Sequence, residues 1–283
     1  MSLIKSNRLL ICLICLGMHA TVAFAAEYKG FQTQGGFVIG QTVPGAKVTY
    51  KGRTLRVSAT GLFIVGFGRN EAAQVTVDIR LPDGKRQSDQ LTVQARQYRE
   101  ERIDSLPKNK VSPSAAEWKR IIAEQVYFDT ARARNDDRTD FTMDFIWPAK
   151  GRISGVYGSR RILNGIPKNP HTGLDIAAPE GTKIVAPIDG VVTLVQQDLF
   201  YTGGTLFIHH GHGLSTMYIH LSEIFVKEGQ EVKQGDVIAA IGMTGRATGP
   251  HLHWGMNWFN TKLDPQLVLK QGKGKRIKGK GNE

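Results

Sequence analysis

Three short segments in the C-terminal half of the chain contain the residue types that bind zinc. They are His171-Thr-Gly-Leu-Asp175, the single His220 and His251-Leu-His253. Zinc accepts imidazole nitrogen and carboxylate oxygen, and a catalytic site uses three protein ligands and leaves one position for water. The set supplies three ligands and two further imidazoles, which is what a zinc hydrolase requires.

The spacing within each segment indicates how the side chains can converge. On a strand, His251 and His253 point to the same face with Cα atoms about 6.5 Å apart, while Leu252 and Trp254 face the core. His171 and Asp175 would be about 13 Å apart on a straight strand. We therefore expect a bend at Thr172-Gly173, where glycine permits unusual backbone angles.

Three further histidines, His209, His210 and His212, lie in a segment interpreted as a turn between two strands. Structural hydrogen bonding is the expected role of all three. The alternative is that His209 or His210 lines the edge of an active-site cleft. Trp254, Trp258 and Tyr201 are candidates for the substrate groove, although aromatic residues beside strands more often belong to the core.

The elements around these segments are glycine-rich strands. Runs of β-branched and apolar residues over 190–195, 204–208, 215–219 and 236–241 predict strands. Residues 147–268 are therefore predicted to form an all-β catalytic domain, with Gly-rich antiparallel sheets in a barrel-like arrangement.

The preceding part of the chain divides into two regions. Short β-branched runs separated by turn signals predict a small β-sandwich domain over 26–106. Residues 107–146 form a predicted linker with a helix over about 114–132, begun by a capping box of Ser114 and Glu117. Trp118, Ile121, Ile122 and Val126 would share one helix face. The helix is either a plain connector or a segment that crosses the cleft and restrains it.

Residues 1–25 have the composition of a signal peptide. Lys5 and Arg8 precede an apolar run from Leu9 to about Leu16, and Ala23-Phe-Ala25 forms a cleavage site. Both cysteines, Cys12 and Cys15, fall inside this segment, so the mature chain would have none. The sequence thus predicts an exported protein without disulfides and without a transmembrane segment after cleavage, with an uncleaved N-terminal anchor as the alternative.

The chain is strongly basic. Its formal net charge of +12 includes six Lys or Arg residues between Lys270 and Lys280, separated mainly by glycine. This composition predicts a disordered basic tail over 269–283. Outside the cytoplasm such a charge fits an anionic envelope surface better than nucleic acid, and a plain solubilising tail is the alternative.

Three motifs together resemble the lysostaphin/LytM-type zinc endopeptidases, which cleave the peptide part of peptidoglycan. They are His171-Thr-Gly-Leu-Asp-Ile-Ala-Ala-Pro-Glu-Gly-Thr182, Tyr218-Ile-His-Leu221 and Thr248-Gly-Pro-His-Leu-His-Trp254, in the family's order. The resemblance covers about residues 147–268. It implies one Zn²⁺ held by His171, Asp175 and His253, with His220 and His251 as the catalytic imidazoles.

The predicted function is hydrolysis of peptide cross-links in bacterial peptidoglycan, with metal-bound water as the nucleophile. The resemblance favours the periplasm of a Gram-negative bacterium over secretion. The alternative is a non-catalytic cell-wall-binding or amidase-activating protein on the same scaffold. A biotinyl/lipoyl-type carrier, suggested by residues 226–238, lacks the lysine attachment motif.

Overall fold

The computed structural model describes residues 26–269. The predicted signal peptide with both cysteines and all but the first residue of the predicted basic tail lie outside this range. No helix within the described range combines the length and apolar character needed to cross a membrane.

From residue 26 onward, eight strands precede the first described helix. They are β1 (Glu27–Gly30), β2 (Phe37–Gln41), β3 (Lys47–Tyr50), β4 (Arg53–Leu55), β5 (Leu62–Gly66), β6 (Gln74–Arg80), β7 (Arg86–Thr92) and β8 (Glu100–Ile103). The first seven form two sheets, with strand orders β1-β2-β5 and β4-β3-β6-β7. Strand β6 alternates strictly, with Val75, Val77 and Ile79 buried and the residues between them exposed. Both sheets contribute to one hydrophobic core, as expected of a sandwich.

Two helices follow, α1 (Lys108–Val111) and α2 (Ala115–Ala133). The capping box at the start of α2 is present, because the Ser114 side chain accepts from the Glu117 backbone N–H and the Glu117 side chain accepts from the Ser114 backbone N–H. The predicted apolar face is correct only in part, because Trp118 and Ile121 line the space between α2 and the sheet, whereas Ile122 and Val126 are exposed. The side of α2 that meets the sheet also carries Phe128, whose ring packs edge-on against Phe207 at 5.9 Å, and the buried Ala131.

Twelve strands make up the C-terminal half. They are β9 (Arg152–Gly155), β10 (Arg160–Leu163), β11 (Ile166–Lys168), β12 (Gly173–Ala177), β13 (Lys183–Val185), β14 (Gly190–Leu199), β15 (Gly203–Gly211), β16 (Leu214–Ile224), β17 (Glu231–Val232), β18 (Val237–Ile241), β19 (His251–Trp258) and β20 (Thr261–Leu263). The short 3-10 helices Asp140–Thr142 and Pro265–Val268 flank them.

Ten of these strands form the main sheet. Its path runs β17-β14-β15-β16-β19-β12-β9, with β13, β18 and β20 paired beside it. The pairings are antiparallel, as predicted. The barrel-like expectation needs correction, because the end strands β17 and β9 do not pair and the sheet stays open among the described residues. Long central strands β15, β16 and β19 are buried along almost their whole length, which gives the site a rigid floor.

The two halves of the chain pack directly on each other. Trp258 of β19 packs against Tyr50 of β3 at 6.0 Å between ring centroids. A Cβ on Gly66 of β5 would lie 2.9 Å from Trp258, so only glycine lets that strand approach the indole so closely. In addition, β8 pairs in parallel with β10 in a separate three-stranded sheet, β11-β10-β8. A strand assigned from sequence to the N-terminal domain thus pairs with the region next to the candidate site.

Candidate metal centre

Strands β12 and β19 bring three of the predicted residues together. Asp175 and His253 are register partners in the antiparallel β12–β19 pair, and His171 lies just before β12. The three side chains offer ligand atoms that all lie within 4.8 Å of one another, and all three residues are buried. Among the described residues, this is the group that can hold a metal ion.

The donor atoms form a small triangle. His171 Nε2 lies 3.0 Å from Asp175 Oδ1 and 2.9 Å from His253 Nδ1, and His253 Nδ1 lies 2.8 Å from Asp175 Oδ1. A cation at zinc's usual distance of about 2.0–2.2 Å can reach all three from one point. Two imidazole nitrogens and one carboxylate oxygen are a donor set that zinc accepts. The residues present therefore fit a zinc ion.

A backbone contact sets the tautomer of His171. Its Nδ1 lies 3.0 Å from the carbonyl oxygen of Val156, which can only accept a hydrogen bond. Nδ1 therefore carries the proton, and Nε2 of the neutral ring presents its lone pair to the triangle. Such a hydrogen bond on the far nitrogen is the usual way in which proteins orient a metal-binding imidazole.

Gly173 matters for a different reason than the sequence suggested. Its φ does not lie in the left-handed region, so the bend between His171 and Asp175 does not depend on unusual glycine angles. A Cβ at this position would instead lie 2.5 Å from the Trp254 carbonyl oxygen and 2.7 Å from His253 Nε2. Glycine is needed here because β12 passes so close to β19.

His220 and His251 lie beside the triangle, with ring centroids 4.7 Å apart. Each donates through Nδ1 to a backbone carbonyl, His220 to Thr244 and His251 to Gly249, both at 2.8 Å. Their Nε2 atoms are therefore unprotonated in the neutral rings, and His251 Nε2 lies 4.0 Å from Asp175 Oδ1. His220 sits at the end of the pairing between β16 and β19 with φ of 65°, a strained value for histidine.

Burial and charge shift the ionisation of the group. Burial lowers the pKa of His220 to about 3, helped by the positive charges that His251 and His253 would carry. Burial also lowers the pKa of His253 to about 4, against the opposing effect of Asp175. Burial alone would raise the pKa of Asp175, but its interactions with the His171 and His253 imidazoles outweigh burial and hold that pKa well below its usual value. These shifts favour neutral imidazoles at His220 and His253 and an ionised carboxylate at Asp175, which is the ionisation state that metal binding requires of a histidine and an aspartate ligand.

The group opens into a cleft of about 510 Å³ between α2 and the main sheet. His171, His220 and His253 line its floor, and α2 contributes Ile121 and Phe128 to its wall. A second space of about 300 Å³ continues past Asp175 and His251. Helix α2 therefore borders the cleft, as one of the two alternatives from the sequence requires, while the restraint itself stays a prediction.

Basic side chains outnumber acidic ones in the lining of the larger space. Its lining includes one carboxylate, Glu124, and four basic side chains: Arg132, Arg161, Lys168 and Arg246. Arg246 lines both spaces, stacks on Tyr201 at 4.4 Å and donates to the Lys110 carbonyl oxygen at 3.3 Å. Of the aromatic candidates, Tyr201 lines the cleft, whereas Trp254 and Trp258 are buried in the core.

The histidine cluster of β15 and its turn, His209, His210 and His212, lies away from the cleft and lines neither space. His210 bonds the Asp189 carbonyl oxygen and Thr216 Oγ1, and His212 packs on Phe141 at 5.0 Å. Burial lowers the pKa of the three imidazoles to about 4, 3 and 4 in chain order. These contacts are structural.

Sequence reasoning missed two arginines. Arg161 donates from Nη2 to Asp175 Oδ2 at 2.8 Å, and Arg246 lines the same two spaces as His220. Neither lies within a motif of metal-binding residues, and the adjacent Arg160-Arg161 pair does not reveal which residue faces the site. Only the pairing of β10 with β8 determines this.

Comparison with known proteins places this geometry in a family. The sequence profile of peptidase family M23 matches residues 169–265, which include all five residues of the site. These residues form an M23 peptidase domain. The site therefore lies inside the range that matches this peptidase profile, and its donor group fits the metal site of a metallopeptidase.

Two named relatives match part of the chain. The chain is 44% identical over 108 residues to the peptidoglycan DD-endopeptidase ShyA of Vibrio cholerae, covering 38% of this chain and 25% of the relative. It is 48% identical over 117 residues to the DD-carboxypeptidase/endopeptidase Mpg of Neisseria meningitidis, covering 41% of this chain and 27% of the relative. The chain thus matches about a quarter of the length of these two relatives.

One solved structure extends the similarity beyond the M23 domain. A Pseudomonas aeruginosa crystal structure described as a peptidase M23 protein superposes with a TM-score of 0.64 at 28% identity. The match covers 83% of this chain and 93% of the other. The arrangement of N-terminal strands followed by an M23 domain therefore occurs in a second protein.

Proposed function

We propose that the protein is a zinc-dependent endopeptidase that hydrolyses peptide cross-links of bacterial peptidoglycan. The observation that carries this proposal is the convergence of five side chains from three distant segments. His171, Asp175 and His253 present three donor atoms to one point. Two further imidazoles stand beside them with their Nε2 atoms unprotonated.

The three donors would hold one zinc ion. When bound, zinc lowers the pKa of a coordinated water and polarises a carbonyl group, which is the chemistry that peptide hydrolysis needs. His171 contributes Nε2, which its Nδ1 contact with Val156 leaves free. Asp175 contributes Oδ1, the carboxylate oxygen that faces both histidines.

His220 and His251 would move the protons. One Nε2 accepts a proton from the attacking water, since a neutral imidazole with its Nδ1 bonded elsewhere has a free lone pair there. That imidazole then passes the proton to the leaving amine. The second imidazole would take up one proton from solvent at Nε2 before the reaction, donate it as a hydrogen bond to the oxygen that becomes negative in the transition state, and keep it throughout the step. The backbone carbonyls of Thr244 and Gly249 hold the two rings in this orientation.

The charge of the cleft supports an acidic peptide as substrate. Four basic side chains and a single carboxylate line its larger space, and such a surface attracts anionic groups. One relative is named a peptidoglycan DD-endopeptidase and another a DD-carboxypeptidase/endopeptidase. Together with the predicted signal peptide, they favour action in the periplasm of a Gram-negative bacterium.

Digestion of purified peptidoglycan tests the proposal. Sacculi with direct peptide cross-links and sacculi with glycine bridges are incubated with the zinc-loaded protein, and the released fragments are identified by mass spectrometry. We expect cleavage of the direct cross-links, loss of cleavage with a chelator and recovery with zinc. A protein that binds zinc but releases no fragment from either polymer would support the cell-wall-binding or amidase-activating alternative instead.

A further inference from the structure

An arginine occupies the outer oxygen of the proposed carboxylate ligand. Arg161 Nη2 donates to Asp175 Oδ2 at 2.8 Å, and the two side chains are only 19% and 10% exposed. The other oxygen, Oδ1, is the one that faces His171 and His253. Because the guanidinium engages Oδ2, the carboxylate presents a single oxygen to the metal position.

A glutamate from β8 contacts this arginine in turn. Glu101 and Arg161 are register partners in the parallel β8–β10 pair, and Glu101 Oε2 lies 3.5 Å from Arg161 Nε. Glu101 Oε1 also accepts from the backbone N–H of Val156 at 3.4 Å. The carbonyl of that same residue orients His171. Glu101 thus touches two of the groups that hold the proposed ligands in place.

These contacts come from outside the family match. Strands β8 and β10 both precede residue 169, where the match to the M23 profile begins. Gly155 provides the space for the carboxylate, because a Cβ there would lie 2.4 Å from Asp175 Oδ2. The pairing of β8 with β10 therefore brings a part of the chain near the N-terminal strands into the surroundings of the metal centre.

We propose that Arg161 is a positioning residue for Asp175, and that Glu101 holds Arg161 in place, so that the β8–β10 pair completes the metal centre. This inference rests on the proposed metal site. Carboxylates that ligate a metal are themselves hydrogen-bonded, and loss of such a partner costs about 10- to 100-fold in metal affinity or activity. Without Arg161, the Asp175 carboxylate would be free to rotate, and Oδ1 would no longer be held toward His171 and His253.

The neighbouring residues provide a matched control. Arg160 and Glu100 are also register partners on the same two strands and form an ion pair of 3.2 Å, with side chains 68% and 34% exposed. Successive strand residues point to opposite faces. Arg160→Gln therefore removes an ion pair between β8 and β10 without touching Asp175.

Metal affinity tests the inference in the full chain. Zinc dissociation constants of the Arg161→Gln, Arg161→Lys, Glu101→Gln and Arg160→Gln variants are measured by competition with a chromophoric chelator, and visible spectra are recorded with saturating Co²⁺. We expect Arg161→Gln to bind zinc about 10- to 100-fold more weakly, with an altered cobalt spectrum. Arg161→Lys keeps the positive charge but loses the planar guanidinium group, so its zinc affinity should lie between those of the parent protein and Arg161→Gln. Glu101→Gln should show a smaller loss, and Arg160→Gln none.

Two results would count against the inference in different ways. If Arg161→Gln and Arg161→Lys bind zinc as tightly as Arg160→Gln, or more tightly, with the parent cobalt spectrum, Arg161 does not position Asp175. If the unmodified protein binds neither metal, the proposed metal site fails and the inference with it. Thermal unfolding of each metal-free variant identifies any that is unfolded. If Arg161→Gln is unfolded without metal, the zinc affinities of Arg161→Lys and Arg160→Gln are compared instead, and equal affinities count against the inference.

Discussion

The substitution Gly173→Ala probes how closely β12 must approach β19 at the metal centre. The added methyl would lie 2.5 Å from the Trp254 carbonyl oxygen and 2.7 Å from His253 Nε2. Both distances are far below van der Waals contact, so one neighbour has to move. The Trp254 backbone is fixed inside the main sheet, where that residue pairs with both β12 and β16, so the imidazole of His253 is the group that yields.

The size of the effect follows from the overlap. Forcing an extra methyl into a packed region costs about 1–3 kcal/mol. If that cost falls on the position of His253, zinc binding weakens by about 5- to 140-fold, since each 1.4 kcal/mol is a factor of ten. The lower chain entropy of alanine in the unfolded state offsets about 0.4–1 kcal/mol in folding stability. It has no effect on metal affinity in the folded protein.

Chelator competition measures this effect, and Gly68→Ala provides the control. A Cβ at Gly68 meets only Thr261 Cγ2, at an ordinary distance of 3.7 Å, and its φ is not in the left-handed region. We expect Gly68→Ala to bind zinc like the parent protein and Gly173→Ala to bind it more weakly. Equal affinities for the two variants would refute the claim that the ligand geometry depends on the space at Gly173.

Further predictions separate the roles of the site residues and of the buried histidines. His253→Ala should lose both zinc, measured by metal analysis, and hydrolysis, whereas His220→Ala should keep zinc and lose hydrolysis; normal turnover by His220→Ala would contradict its role. Arg246→Gln should raise KM for an acidic peptide about 10-fold or more with little change in kcat, because a charged hydrogen bond contributes about 1.5–3 kcal/mol; an unchanged KM would exclude a role in substrate binding. The histidine cluster of β15 has folded pKa values of about 3–4 against an ordinary 6.5, so the unfolded chain takes up protons first as pH falls from about 6.5 to 4. The free energy of unfolding, measured with urea in the presence of chelator, should then fall by up to about 1.4 kcal/mol per group and pH unit; equal values at pH 7.5 and pH 5 would contradict this.

Local sequence patterns were enough to predict many of the strands. The β-branched run Lys47–Tyr50 is strand β3, and the run from residue 190 begins β14, because β propensity and turn residues act over a few positions. The His-x-His spacing likewise placed His251 and His253 on one strand with Leu252 buried behind them. These features are set by neighbours in the chain.

Long-range contacts were the part that the sequence did not reveal. Strand β8 has the sequence Glu-Glu-Arg-Ile, which lacks an apolar alternation, and its partner β10 lies about 60 residues further on. The contact of Arg161 with Asp175 depends on that pairing. The face of α2 was assigned correctly only in part, because Ile122 and Val126 fit the apolar pattern of the helix as well as Phe128 and Ala131 do but are exposed. Only the shape of the sheet beneath the helix decides between them.

The central claim is that one divalent ion is held by His171, Asp175 and His253 with a position left for water. A crystal structure of the zinc-loaded protein, with anomalous data collected at the zinc edge, tests this most directly. We expect a single anomalous peak bonded to His171 Nε2, Asp175 Oδ1 and His253 Nδ1, with a solvent molecule as the fourth ligand. A peak elsewhere, or a fourth protein ligand such as His220 or His251 that closes the coordination shell, would contradict the account.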